Sequence, residues 1–152
     1  RGLGDVYKRQ LRYTLQSNES QSVSLREEME FASAYIFLLK MRFENNLQFD
    51  IQIAKSFEDY RLPPMAVQVL IENAVKHNEI SDRKPLTIHI VTNNEGYLSV
   101  SNDIQPKRTA ASGTGIGLVN LAKRYRLLFK QDIQITEDKE FSVCIPLIDE
   151  VQ

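Results

Sequence analysis

The sequence predicts an α+β protein, a two-layer α/β sandwich in which a mixed sheet carries its helices on one face. Apolar and polar residues alternate in short segments that come in neighbouring pairs, 86–91 with 97–101 and 133–136 with 141–147. Segments with helical periodicity lie between these strands. Antiparallel pairs interspersed with helices favour a mixed sheet over a doubly wound parallel one. The 152 residues fit one domain.

Composition excludes several classes of protein. The formal net charge of −1 gives no support for nucleic-acid binding driven by bulk charge. The one cysteine, Cys144, excludes an internal disulfide, and its alternating apolar surroundings predict a core position. No segment approaches the roughly 20 apolar residues of a membrane span.

The elements can be assigned in chain order. Ser24 and Glu27 have the spacing of a capping box, which starts a helix. A stripe at alternating spacings of four and three predicts that this helix faces the core: Leu25, Met29, Ala32, Ile36, Leu39 and Phe43. Alternation over 47–53 predicts a half-buried strand. Pro63 and Pro64 favour the start of a helix over 63–77, and another helix is expected over 116–129.

The helix over 63–77 carries an unusual density of polar groups. Asn73, Lys76 and His77 follow at i, i+3 and i+4, so they share one face, and Glu72 lies beside them. This arrangement can aim an amide, an ammonium and an imidazole at one ligand. The alternative is an ordinary solvated face with a Glu72–Lys76 pair.

A second motif, Ser112-Gly113-Thr114-Gly115-Ile116-Gly117-Leu118, closes a long loop and opens a helix. Glycines let backbone N–H groups approach a ligand, and the helix N-terminus favours phosphate. The spacing is neither that of a dinucleotide-binding fold nor that of a P-loop. The alternative is a flexible linker followed by a helix cap.

The two motifs together resemble those of sensor histidine kinases. Glu72-Asn73-Ala74-Val75-Lys76-His77 resembles their N box, and Gly113-Thr114-Gly115-Ile116-Gly117-Leu118 resembles their second glycine box. Leu70 before the first motif, and Asn120 and Arg124 after the second, look most like the Lyt-type kinases that work with LytTR-type response regulators. The segment 11–15, the entry into the first helix, Tyr35 and Arg42-Phe43 also look like that family. The resemblance covers about residues 11 to 148.

This resemblance implies the Bergerat ATP-binding fold, with ATP and Mg²⁺ as ligands. Asn73 would supply an oxygen ligand to Mg²⁺, and Glu72 would orient or deprotonate the attacking group. Lys76 and His77 would face the phosphates. The hinge and backbone cradle of the ATP lid would be formed by Gly113, Gly115 and Gly117, and the ATP-binding residues would also include Thr114, Ile116 and Leu118. Phosphoryl transfer needs mainly positioning and charge neutralisation, which such a set provides.

The sequence departs from the family in two places. The family usually places an aspartate, followed by a glycine, where the adenine amino group binds; here Asn102 stands at that position and no glycine follows. An asparagine carbonyl can still accept that hydrogen bond, and Asp103 could substitute by a slip of one residue. The second departure is that the family's phosphoacceptor histidine precedes the segment 11–15 and is not in this chain, since His77 belongs to the N box and His89 to a strand.

The resemblance therefore implies a catalytic ATP-binding domain over 23–149 that belongs to a longer protein histidine kinase. Residues 11–22 would be the end of a dimerisation helix and a linker, and 1–10 a foreign or disordered segment. The expected partners are the dimerisation and phosphoacceptor domain, a response regulator of the LytTR type and a second copy of the full-length kinase, with no nucleic acid. This domain would be cytoplasmic, with the full-length protein anchored in the bacterial inner membrane. The alternative is a nucleotide-binding interaction module without kinase activity; a folded domain with no nucleotide role is a third hypothesis.

Overall fold

The computed structural model describes residues 22–107 and 115–150, together with Gly4. Ten strands and helices follow one another along these residues, and short 3₁₀ turns join some of them. In chain order they are β1 (Val23–Ser24), α1 (Leu25–Phe43), β2 (Leu47–Gln52), β3 (Arg61–Leu62), α2 (Ala66–His77), β4 (Leu86–Thr92), β5 (Tyr97–Asp103), α3 (Ile116–Phe129), β6 (Gln134–Glu137) and β7 (Glu140–Pro146). The segments 1–10 and 11–15, and the linker up to residue 21, lie outside the described residues apart from Gly4.

The main sheet has five strands in the order β2-β4-β5-β7-β6. β2 pairs with β4 in parallel, whereas the remaining neighbours are antiparallel, so the sheet is mixed. β1 and β3 form a small separate antiparallel pair. The predicted α+β fold with a mixed sheet is confirmed, as is the hairpin of β4 and β5 around the turn at 93–96.

One face of the sheet is buried beneath the helices. Alternate strand residues such as Ile88, Ile90, Leu98 and Val100 join one core with the apolar faces of the three helices. The opposite face carries polar side chains, among them the pair of Asp50 and His89, whose Oδ2 and Nδ1 lie 2.9 Å apart. The alternation of the strands therefore places all apolar burial on one side, as in a two-layer sandwich.

The capping box at the start of α1 is confirmed. The Ser24 hydroxyl accepts from the Glu27 N–H at 3.1 Å, and the Glu27 carboxylate accepts from the Ser24 N–H at 3.1 Å. The predicted stripe faces the core, with Leu25, Ala32, Ile36 and Leu39 buried. Met29 and Phe43 pack against the same core while partly exposed.

The predicted start of the second helix at Pro63 is wrong, since α2 begins at Ala66. Met65 precedes it in a left-handed conformation with φ of 67°. The first turn is held instead by Glu28, whose two carboxylate oxygens accept from the N–H groups of Met65 and Val67, each at 2.9 Å. A carboxylate from another helix therefore does what an N-cap side chain usually does.

Two other expectations fail for reasons of strand position. The alternation over 47–53 puts Ile51 on the apolar side of its strand with Phe49 and Ile53, yet Ile51 is 44% exposed while the other two pack against the core. β2 is an edge strand, so it has a neighbouring strand on one side only. Cys144 was expected in the core but is only half-buried, because Val143 and Ile145 take the inward positions on β7.

No described helix is long and apolar enough to cross a membrane.

Candidate functional site

A cavity of about 430 Å³ lies between the C-terminal half of α2, the start of α3 and the adjoining ends of β5, β6 and β7. Its size falls within the range of small-molecule pockets. Its lining combines apolar side chains with a few polar ones: Asn73, His77, Asn78, Ile104, Pro106, Gly115, Leu118, Glu137 and Phe141. Such a lining suits a flat apolar ring with polar groups at its edge.

A smaller cavity of about 100 Å³ adjoins the first, at the N-terminus of α3. Asn73 and His77 line both cavities, and Lys76, Gly115 and Gly117 line the smaller one. The backbone N–H groups of the first turn of α3 have no acceptor within their own helix. Together with the nearby ammonium group, these donors favour an anion such as phosphate.

Two glycines shape this end of α3. Gly115 immediately precedes the helix with φ of 65°, a conformation that favours glycine. Gly117 lies against α2, where an added Cβ would come within 3.3 Å of the Val69 Cγ1. The second glycine therefore lets α3 approach the helix that carries Asn73. Gly113 and Thr114, which were also predicted in this motif, lie outside the described residues.

Asn102 and Asp103 point to opposite faces of β5. Asn102 lies on the core face and is only 1% exposed, whereas Asp103 is exposed. The Nδ2 of Asn102 donates to the Asp103 carbonyl at 2.8 Å. Its Oδ1 accepts from none of the residues in 22–107 or 115–150. Its cross-strand partner is Phe141, which lines the larger cavity. Of the two predicted candidates, only Asn102 lies on the core face of the sheet, and neither is among the residues that line the two cavities.

A clamp that no sequence motif indicates lies beside the cavity. The buried Asn78 donates to the Ala74 carbonyl at 2.8 Å and accepts from the Gln105 N–H at 2.7 Å. The Gln105 side chain in turn donates to the Glu79 carbonyl at 2.9 Å. These bonds tie the end of α2 to the segment that follows β5. The clamp forms only because two segments that are distant in sequence meet in the fold. Neither Asn78 nor Gln105 therefore belongs to a recognisable sequence motif.

Glu72 lies on the side of α2 that faces α1. It lines a groove together with Tyr35 and Arg42 from α1. Burial, and next the Glu72 carboxylate, raise the pKa of Tyr35 to about 12. The Tyr35 hydroxyl is therefore neutral beside this carboxylate at any physiological pH.

Solved structures of histidine kinases share this fold. The catalytic domain of histidine kinase ThkA matches with a TM-score of 0.57 at 20% identity, over 84% of this chain and 97% of that one. A mycobacterial sensor histidine kinase, MprB, matches with a TM-score of 0.53 at 11% identity, over 84% and 97%. The fold is therefore that of a histidine-kinase catalytic domain.

Sequence comparison identifies the family within this class. The sensor protein LytS of Streptococcus mutans is 34% identical over 84% of this chain and 24% of its own length. The sensor histidine kinase BtsS of Escherichia coli is 28% identical over 77% of this chain and 21% of its own length. The histidine kinase family model matches residues 7–47. This chain belongs to the sensor histidine kinases of the LytS and BtsS type, and it spans about a quarter of the length of these relatives.

Proposed function

We propose that this chain binds Mg·ATP and transfers the γ-phosphoryl group to a histidine on the dimerisation domain of the same kinase. The observation that carries the proposal is the position of Asn73, which lines both the ring-sized cavity and the small cavity at the N-terminus of α3. The Asn73 side chain therefore lies between the cavity proposed for the adenine base and the cavity proposed for the phosphates.

The larger cavity suits the adenine ring. Ile104, Leu118 and Phe141 supply apolar surface, and the Oδ1 of Asn102, to which no described residue donates, would accept from the exocyclic amine. The Nδ2 bond to the Asp103 carbonyl supports this orientation of the amide, because it commits the donor end elsewhere. Asn102 then replaces the aspartate expected from the family.

The small cavity suits the phosphates. Lys76 and His77 offer positive or donor groups, and the first turn of α3 offers backbone N–H groups. The described residues contain no cluster of three acidic, histidine or cysteine side chains that could cage a metal. Mg²⁺ held by Asn73 and phosphate oxygens fits this donor set, because Mg²⁺ keeps few protein ligands. Such an ion would neutralise charge on the transferred group.

Glu72 is the residue that would act on the acceptor histidine. It is exposed, lies next to Asn73 in the chain, and lines both the small cavity and the groove beside it. Its carboxylate would orient the acceptor imidazole or take its proton while the nitrogen attacks phosphorus. This role places the acceptor on the α1 side of α2.

The test is phosphorylation of a separately supplied dimerisation domain from γ-labelled ATP. Asn73→Asp adds a negative charge beside the phosphates and removes a neutral ligand, so we expect labelling to fall at least 100-fold. Asn94→Asp, in the exposed turn between β4 and β5, is the matched control. Unchanged labelling in Asn73→Asp would rule out the assigned role of Asn73.

The altered adenine position supports a second candidate, a nucleotide-binding interaction module without transfer activity. Asn102 replaces an aspartate, and no glycine follows it. Labelling of the supplied histidine by the unmodified chain would exclude this candidate. ATP binding without any labelling would favour it.

The whole kinase extends beyond this chain in our proposal. A dimerisation domain with the acceptor histidine, a LytTR-type response regulator and an anchor in the bacterial inner membrane complete it, and it acts as a homodimer. Support comes from the relatives, which are named as sensor proteins and of which this chain covers only about a quarter.

A further inference from the structure

A wide groove separates the C-terminal half of α1 from the C-terminal half of α2. Its volume is about 1020 Å³, larger than both cavities of the candidate site together. Side chains from α1, α2, the segment 78–84 and the segment 106–107 line it. We call this feature the cationic groove, because most of its charged side chains are basic.

Five basic side chains line the cationic groove: Arg42, Lys76, Arg83, Lys84 and Lys107. Two carboxylates, Glu72 and Glu79, lie among them, so five minus two leaves a local formal charge of +3. The whole chain has a formal net charge of −1. None of the five cations forms an ion pair with any carboxylate of the described residues. A concentration of unpaired positive charge on an acidic chain attracts an anionic partner.

The floor of the cationic groove is apolar. Leu39, Phe43, Val75 and Ile80 line it beneath the charged side chains. The Arg42 guanidinium lies over the Phe43 ring, 4.6 Å from its centroid, which holds this cation at the rim. An apolar floor with a cationic rim matches an amphipathic helix that has carboxylates on either side of its apolar stripe.

The cationic groove adjoins the phosphate end of the candidate site. Glu72 and Lys76 line both the groove and the small cavity at the N-terminus of α3. A partner in the groove would therefore lie next to the γ-phosphoryl group. Phosphoryl transfer requires the acceptor atom in line with that group, so the acceptor domain needs a binding surface at this place.

We propose that the cationic groove is the docking surface for an acidic amphipathic helix of the phosphoacceptor domain. This inference rests on the proposed function and adds the surface by which the acceptor is recognised. The first 21 residues of this chain are a poor occupant, because four basic residues (Arg1, Lys8, Arg9 and Arg12) outnumber two acidic ones (Asp5 and Glu19). Charge complementarity therefore favours a helix outside this chain.

Equilibrium binding without nucleotide tests the proposal separately from the ATP site. A fluorescently labelled acceptor domain is titrated with the chain, and the anisotropy gives the Kd. Arg83→Glu/Lys84→Glu reverses two groove charges that take no part in the proposed nucleotide site. We expect the Kd to rise at least tenfold and its dependence on NaCl concentration to become shallower.

The matched control is Lys40→Glu/Lys55→Glu, which makes the same change in net charge at two exposed positions outside the groove. We expect its Kd to stay within threefold of that of the unmodified chain. Circular dichroism checks folding, and Arg83→Gln/Lys84→Gln provides a milder second variant with an expected loss of about threefold. The nucleotide affinity of both groove variants should stay within twofold.

Three results would overturn the proposal. The first is an unchanged Kd for the acceptor domain in both groove variants. The second is an equal loss in the control, which would indicate a general charge effect. The third is a loss of affinity that the groove variants show for a labelled receiver domain but not for the acceptor domain. This result would assign the groove to the response regulator. If the chain binds the acceptor domain through the groove but binds no ATP, the proposed function fails and the docking surface stands.

Discussion

The Oε2 atom of Glu28 in α1 accepts a hydrogen bond of 2.9 Å from the backbone N–H of Val67 in the first turn of α2. Glu28 is completely buried. α2 carries Asn73, Lys76 and His77, so this bond fixes the helix that presents the candidate site. The negative charge also complements the positive end of the helix dipole.

Glu28→Gln should therefore lower stability. The side-chain amide of the variant has only one acceptor oxygen. Its NH₂ group would therefore face one of the two backbone N–H groups that now donate to the carboxylate. The free energy of unfolding should fall by about 1 to 3 kcal/mol, the usual cost of losing a charged hydrogen bond in the interior. Urea denaturation measures it, with the exposed Glu30→Gln on the same helix as control. Equal stability of the two variants would contradict this role of Glu28.

Gly117→Ala should weaken nucleotide binding by crowding the contact between two helices. The added Cβ would lie 3.3 Å from the Val69 Cγ1, so the Val69 side chain or the start of α3 must shift by a few tenths of an ångström. We expect the Kd for Mg·ATP to rise at least fivefold. Val69→Ala/Gly117→Ala removes the close contact and should restore the affinity to within twofold. A double variant as weak as Gly117→Ala alone would show that the steric explanation is wrong.

Asn78→Asp should loosen the clamp at the end of α2. The carboxylate keeps an acceptor for the Gln105 N–H but loses the donor to the Ala74 carbonyl and repels that oxygen. We expect a loss of about 1 to 3 kcal/mol in the free energy of unfolding, together with faster amide hydrogen exchange at Gln105. Asn94→Asp in an exposed turn is the control. Unaltered exchange at Gln105 would argue against the clamp.

Tyr35 should make stability depend on pH in the alkaline range. Its folded-state pKa of about 12 lies above the ordinary value of 10.0. A raised folded pKa means that the stabilising contribution is complete below pH 10 and is lost as the pH rises from about 10 to 12. The difference in unfolding free energy between the native chain and Tyr35→Phe should therefore shrink or reverse over this range. A difference that stays constant from pH 9 to 12 would contradict the shift.

The sequence predicted the elements better than the contacts between them. Periodicity and the capping box located α1 and its buried face, and the turn at 93–96 located the central hairpin, because these signals are local. The start of α2 was misplaced because its cap comes from Glu28, which is 39 positions away from Val67. Prolines alone could not reveal that long-range bond.

The same limit applies to the candidate site. Asn73, Lys76 and Gly117 stood out because each belongs to a dense local motif. Phe141 did not stand out, because its position at the cavity depends on the pairing of β7 with β5, where it lies opposite Asn102. The cationic groove was equally hidden, because four separate segments contribute its five basic residues.

Calorimetric titration of the chain with ATP, with and without Mg²⁺, tests the central claim most directly. Asn73→Ala is the test variant and Asn94→Ala the control, since Asn94 lies in an exposed turn far along the sheet. We predict that binding requires Mg²⁺ for full affinity, that Asn73→Ala weakens it at least tenfold, and that Asn94→Ala leaves it unchanged. No binding by the unmodified chain, or equal binding by Asn73→Ala, would contradict the account.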